Sequence, residues 1–125
     1  MHKSSLAVLA LLGCTVSSFA WAAEGDAAHN AALFKTQCSS CHKVDHNLVG
    51  PELGGVFGRK AGAIANFSYS TPLKASGLTW DAATLDKWLT GPAVLVPGTH
   101  MTLKVENPQD RADIIAYLKT LPPAE

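Results

Sequence analysis

Cys38-Ser39-Ser40-Cys41-His42 is the stretch from which the rest of this sequence is read. It is a C-x-x-C-H run, the attachment pattern of a c-type haem. Two thiols separated by two residues at a helix end can reach the two vinyl groups of one porphyrin. The next residue then stands under the ring, where an imidazole nitrogen can bind iron, so His42 is the expected proximal ligand. Other uses of these residues fit less well. A Cys38–Cys41 disulfide of the thioredoxin kind needs a βαβ context, which the flanking sequence lacks. A structural zinc site wants four protein ligands, and no second cysteine pair is present. Recruiting His46 would ask the consecutive Cys41 and His42 to bind one ion, an awkward geometry.

The second axial position has a narrow choice. Met101 is the only methionine besides Met1. It lies in Pro97-Gly98-Thr99-His100-Met101, between two helically patterned segments, and on no core-facing stripe that would make it a packing residue. A thioether opposite imidazole favours ferrous over ferric iron and is the ligand pair of electron-transfer haems. It also fills the position that oxygen or peroxide would need. Met101 is therefore the expected sixth ligand and one-electron transfer the expected function. The competing reading, from another class, is a haem enzyme or gas sensor with a labile sixth ligand. The lack of a recognisable distal acid–base set counts against it.

The chain has 125 residues, enough for one domain. Its start, Met1-His2-Lys3 followed by apolar Leu6 to Leu12 and then Ser17 to Ala22, has the order of a secretory signal. Cleavage after Ala22 is expected, giving a signal peptide over 1–22 and a haem domain over 23–125. Two rival readings stand beside it. Leu11-Leu12-Gly13-Cys14 looks like a lipoprotein signal with Cys14 lipidated. Alternatively Leu6 to Ala23, uncharged but diluted by Thr15, Ser17 and Ser18, stays as a marginal span. All three put the remainder outside the cytoplasm; with cleavage the mature form is expected in the periplasm of a bacterium, with no integral span. The formal net charge is zero, and cleavage removes one base, Lys3, and no acid. A nearly neutral chain without a basic cluster has no electrostatic reason to bind nucleic acid or anionic lipid.

The patterning is helical. Asp26 to Gln37 reads as a helix capped by Asp26, and Thr71 to Ser76 as a short one with Pro72 in its first turn. Asp81 to Thr90 carries Leu85, Trp88 and Leu89 on one face and is expected to stop at Gly91-Pro92. In the last helix Asn107 caps, Pro108 opens, and Ile114, Ile115, Leu118 and Leu121 form a stripe beside Tyr117, up to Pro122-Pro123. Lys43 to Ser70, with six glycines and prolines and no sustained period, reads as a long loop. No segment alternates as a strand. The expected fold class is all-α: a few helices and long loops wrapped around one covalently bound haem, which supplies the core that so small a domain otherwise lacks.

Several further stretches stand in a fixed order: Gly50-Pro51-Glu52-Leu53, Gly58-Arg59-Lys60, Phe67-Ser68-Tyr69-Ser70, Trp80, and Ile115-Ala116-Tyr117-Leu118-Lys119. With the haem motif and the Met101 loop, they make the chain resemble the class I c-type cytochromes, mitochondrial cytochrome c and its soluble bacterial counterparts, from Asp26 to Leu121. The resemblance implies one haem c, held through thioethers to Cys38 and Cys41 with His42 and Met101 on the iron. It implies that the Pro51 carbonyl accepts the His42 ring N–H. It further implies that Tyr69 and Trp80, with Arg59, meet the haem propionates, that Thr99 bonds near a propionate or the Met101 side, and that Phe34 packs on Tyr117. The partners it suggests are redox proteins: a cytochrome reductase complex, a terminal oxidase, a dehydrogenase or a peroxidase. The protein is expected to be a monomeric carrier.

The sequence also departs from the pattern of these relatives. Asn30 replaces a glycine at the helix crossing, where a wider or shifted crossing is expected. Leu73 replaces an asparagine and Trp88 a tyrosine, so the Met101 side should be drier. Leu103 replaces an aromatic, and Ala93-Val94-Leu95-Val96 replaces a lysine-containing segment. Docking through a small apolar patch, weakly dependent on salt, is therefore expected.

Overall fold

Side chains that cap backbone N–H groups set where the helices of this protein begin. The computed structural model describes residues 26–125, so the expected signal over 1–22 and Cys14 lie outside the described residues. Helix α1 spans Ala27–Gln37, and the Asp26 carboxylate accepts from the Ala28 N–H at 3.1 Å. Helix α2, Thr71–Ala75, is capped by Ser70 with Pro72 in its first turn. Helix α3, Ala82–Thr90, is capped by Asp81, whose Oδ1 accepts from the Thr84 N–H at 2.8 Å. Helix α5, Pro108–Thr120, has Asn107 accepting from Gln109 and Asp110 at 2.8 and 3.3 Å. Asp26 and Asn107 cap where the sequence places them, and α2 and α3 begin within a residue of the expected starts.

One element was not expected. Gly91 ends α3, but Pro92 opens a further helix at once, α4, Pro92–Leu95. A proline after a glycine reads as a stop, yet its fixed φ also suits the first position of a new turn. The result is a sharp corner in which Pro92 is fully buried and Val94 points outward, 82 % exposed.

The first and last helices make the largest helix contact, α1 on α5. Phe34 and Tyr117 meet there with ring centroids 4.8 Å apart. Ile114, wholly inaccessible, lies at the centre of a core built with Leu85, Trp88 and Leu89 from α3 and with Val105 and Leu118. Asn30 is buried on α1.

The long segment between α1 and α2 contains no helix among the described residues, as its glycines and prolines suggest. It is organised by backbone hydrogen bonds. Leu53 and Gly54 donate to Lys43 and Val44 at 2.9 and 2.8 Å, and Gly54 is so enclosed that a Cβ would meet the Pro122 carbonyl at 2.7 Å. An isolated antiparallel bridge pairs Lys60 with Thr79. The Asn47 amide donates to Asn66 Oδ1 at 3.0 Å and its oxygen accepts from the Glu52 N–H at 2.9 Å, closing the loop on itself.

Candidate functional site

The C-x-x-C-H run follows directly on helix α1, with Cys38 at its C-cap. The Cys38 N–H donates to the Phe34 carbonyl at 2.8 Å, and the Cys41 and His42 N–H groups then both reach the Cys38 carbonyl, at 3.1 and 2.9 Å. This tight turn brings Cys38, Cys41 and His42 to the wall of one cavity of about 490 Å³. Both cysteines are free thiols, Cys38 buried and Cys41 exposed. Burial, and secondarily the neighbouring Cys41, pushes the Cys38 thiol up to about 11, so it stays protonated near neutral pH.

The imidazole of His42 is fixed from two sides. Its Nδ1–H donates to the Pro51 carbonyl oxygen at 2.8 Å. A carbonyl only accepts, so the ring proton sits on Nδ1 and the lone pair on Nε2. Burial holds the His42 pKa below the usual imidazole value, with the Pro51 bond acting in the opposite direction. A neutral imidazole is the form that ligates a metal. The second constraint is Gly50: a Cβ there would lie 2.2 Å from His42 Cε1 and 2.6 Å from Nδ1. The ring therefore rests on bare backbone, held there by the Gly50 N–H donating to the Cys41 carbonyl at 2.8 Å. In the sequence Gly50 is one glycine of a long loop; its role is visible only once the ring's position is known.

Met101 lines the same cavity, partly buried against the core. Leu73, Leu85, Trp88 and Leu89 form apolar wall around it, with Ile114 and Leu118 from α5. Trp88 stacks edge-on against Trp80, centroids 5.1 Å apart. Thr99 also lines the cavity, its N–H donating to the Val96 carbonyl at 3.1 Å. His100 lines its exposed rim, as do Val49, 74 % exposed, and Leu103, 39 % exposed.

Another part of the wall is polar and short of anions. Arg59 uses Nη1 and Nη2 on the Gly54 and Glu52 carbonyls, at 2.9 and 2.8 Å. Burial lowers its pKa, which marks a cation held where charge is disfavoured. The Tyr69 hydroxyl accepts from the Ile64 N–H at 3.2 Å, leaving its own proton to donate. Burial raises the Tyr69 pKa, so that proton is retained. Arg59, Tyr69 and Trp80 all line the cavity, and among the described residues no acidic side chain does.

The residues present fit a c-type haem. A largely apolar cavity of this size suits a flat hydrophobic group, and its unspent donors suit that group's carboxylates. The thiols and the Nε2 lone pair stand on one wall and a thioether on another part of the lining. The zinc reading finds no support: among the described residues Cys38, Cys41, His42 and His46 do not converge as a ligand cluster.

Comparison with known proteins agrees. The family model described as "Cytochrome c" matches residues 27–122. The chain belongs to the cytochrome c family. It is 48 % identical over 118 residues to cytochrome c2 of Rhodomicrobium vannielii, spanning 90 % of this chain and 93 % of that protein. Cytochrome c2 iso-2 of Magnetospirillum fulvum is 51 % identical over 87 residues, 67 % of this chain and 91 % of the relative. Among solved structures, cytochrome cH from Methylobacterium extorquens superposes with a TM-score of 0.72 at 48 % identity, covering 77 % of this chain and 99 % of that one. The protein is thus a class I c-type cytochrome with the cytochrome c fold, an electron carrier rather than an enzyme, and its cofactor is one covalently bound haem c. Among the described residues no helix is long and apolar enough to cross a membrane.

Proposed function

We propose that the protein is a soluble periplasmic carrier of single electrons in a respiratory chain, with His42 and Met101 as the axial ligands of its haem iron. The observation that carries the ligand assignment is the Nδ1–H donation from His42 to Pro51, which leaves Nε2 as the metal-binding atom. Haem c supplies the reversible ferric–ferrous couple. Everything else is done by the chain. Cys38 and Cys41 hold the macrocycle covalently, and Gly50 and Pro51 fix the imidazole from face and edge. Met101 completes the coordination, and its soft sulfur favours the reduced state. Leu73, Trp88 and Leu89 exclude water from the Met101 side. Arg59, Tyr69, Trp80 and Thr99 receive the propionates.

Residues 1–22 serve as a signal removed on export, and residues 23–125 form the mature cytochrome c domain. The exposed Val49 and Leu103 at the cavity rim meet the partner, a reductase complex, oxidase, dehydrogenase or peroxidase, while the carrier itself is monomeric. The test is a potentiometric titration of the purified holoprotein with carbon monoxide added to the reduced form. A reversible one-electron couple and a carbon monoxide-inert ferrous haem are expected. Ready carbon monoxide binding would instead mean a vacant or labile sixth site and would overturn the assignment of Met101.

A further inference from the structure

Met101 sits in the middle of a strap that is held only at its ends. Among the described residues, 100–104 exchange no hydrogen bond with the rest of the chain, through backbone or side chain. At the leading end the Val96 N–H donates to the Pro92 carbonyl at 2.8 Å and the Thr99 N–H to Val96 at 3.1 Å. Gly98, at φ +88°, presses so close to α2 that a Cβ would stand 3.0 Å from Pro72. At the trailing end Val105, 2 % exposed, donates its N–H to the Leu89 carbonyl of α3 at 2.8 Å.

One side chain ties that trailing end to both neighbouring helices. Arg111, on the second turn of α5, gives Nη1 hydrogens to the Val105 and Glu106 carbonyls, each at 2.9 Å. Its Nε–H donates to Asp86 Oδ1 on α3 at 2.7 Å. The Arg111 side chain is only 12 % exposed, against 50 % for Asp86, so water competes poorly for the guanidinium. Such charge-assisted bonds are the stronger class, and leaving two carbonyls without their donor in a partly buried notch is costly.

From this geometry we infer that Arg111 is a positioning residue for the sixth ligand: it clamps the end of the strap and thereby sets how readily Met101 leaves the iron. The inference rests on the assignment of Met101 as that ligand. Arg111 is not one of the residues lining the cavity, so its effect runs through the Val105 and Glu106 carbonyls alone. Asp86 is the orienting partner. It holds the fork of the guanidinium in the plane that both carbonyls require.

The test uses ferric holoprotein titrated with imidazole, an added ligand that binds iron only when methionine vacates it. The ferric iron–methionine charge-transfer band reports its departure. Arg111→Gln should tighten imidazole binding about tenfold, the size expected for losing one set of charge-assisted bonds. Asp86→Asn, which leaves the carbonyl bonds in place, should tighten it less and in the same direction. Ile115→Val trims a buried core side chain of α5 that does not line the cavity and makes none of the clamp's hydrogen bonds; it should lower global stability while leaving imidazole affinity within about twofold. If Arg111→Gln fails to accumulate as holoprotein, Asp86→Asn decides alone: tighter binding supports the clamp, and unchanged binding overturns it. An Ile115→Val effect as large as that of Arg111→Gln would also overturn it, by making the role merely structural. A wild-type protein without the charge-transfer band would overturn the Met101 assignment itself, an outcome seen before any variant is compared.

Discussion

Gly50 packs directly against the imidazole of His42: a Cβ on that glycine would fall 2.2 Å from the ring's Cε1. The same ring donates from Nδ1 to Pro51 at 2.8 Å, so two consecutive residues fix both its plane and its tilt. Their order in the chain is no accident of the loop. The Gly50 N–H bonds back to the Cys41 carbonyl, and this returns the loop to the imidazole.

Gly50→Ala should therefore displace the His42 ring rather than merely crowd a loop. A stability loss of about 1–3 kcal/mol, the usual cost of forcing a methyl into filled space, is expected in denaturant unfolding. A shifted reduction potential should accompany it, because the ligand moves. A variant with wild-type potential and wild-type stability would show that the imidazole is not held by this contact.

Leu73 is buried on the wall of the cavity that Met101 also lines, and its side chain offers no hydrogen bond to water. Burial in apolar surroundings disfavours the more highly charged ferric site. Leu73→Asn should admit a polar group, and with it water, and lower the potential by roughly 30–60 mV, or ~1 kcal/mol for one electron. A redox titration in which this variant rises in potential would contradict the dry-wall account.

Electron transfer to the native partner should depend weakly on salt. Among the exposed side chains at the cavity rim, Val49 and Leu103 are apolar, and Val94 is another exposed aliphatic, on α4. Between about 0.01 and 0.15 M ionic strength the second-order rate should change by less than roughly threefold. A steep fall over that range would mean that charge, rather than the apolar rim, guides docking.

The Asp81 cap gives a pH-dependent stability of known sign. Its carboxylate accepts from the Thr84 N–H at 2.8 Å, and this bond first of all holds its pKa below the ordinary aspartate value. A depressed folded-state pKa stabilises the fold above the unfolded value, and that stabilisation is lost as pH falls through the folded one. Asp81→Ala should thus lower the thermal midpoint at neutral pH, with the gap to wild type closing in acid. Asp81→Asn, which caps without titrating, should stay close to wild type at neutral pH. A gap for Asp81→Ala that is constant with pH would refute the role of the ionised cap.

Most of the site was legible because its chemistry is concentrated in a few residue types. Cys38, Cys41 and His42 lie within five residues, Met101 has no rival in the chain, and caps such as Asp26 and Asn107 act over two or three residues. What escaped the sequence is what depends on distance. The hydrogen bond from the Asn47 amide to Asn66 joins residues 19 apart, and the Arg111–Asp86 pair residues 25 apart, with no local pattern to announce either. Helix α4 was missed because Gly91-Pro92 stops one helix and starts another, and local preference cannot choose between the two. Gly50 was missed for a related reason: a glycine that makes room looks the same as one that makes a turn.

The most direct measurement is an absorption spectrum of the purified holoprotein, ferric, then ferrous, then ferrous under carbon monoxide. Ligation by His42 and Met101 predicts a low-spin ferrous c-haem spectrum that carbon monoxide leaves unchanged, with the iron–methionine charge-transfer band in the ferric form. A high-spin spectrum, or one that shifts readily under carbon monoxide, would contradict it and leave Met101 as a packing residue.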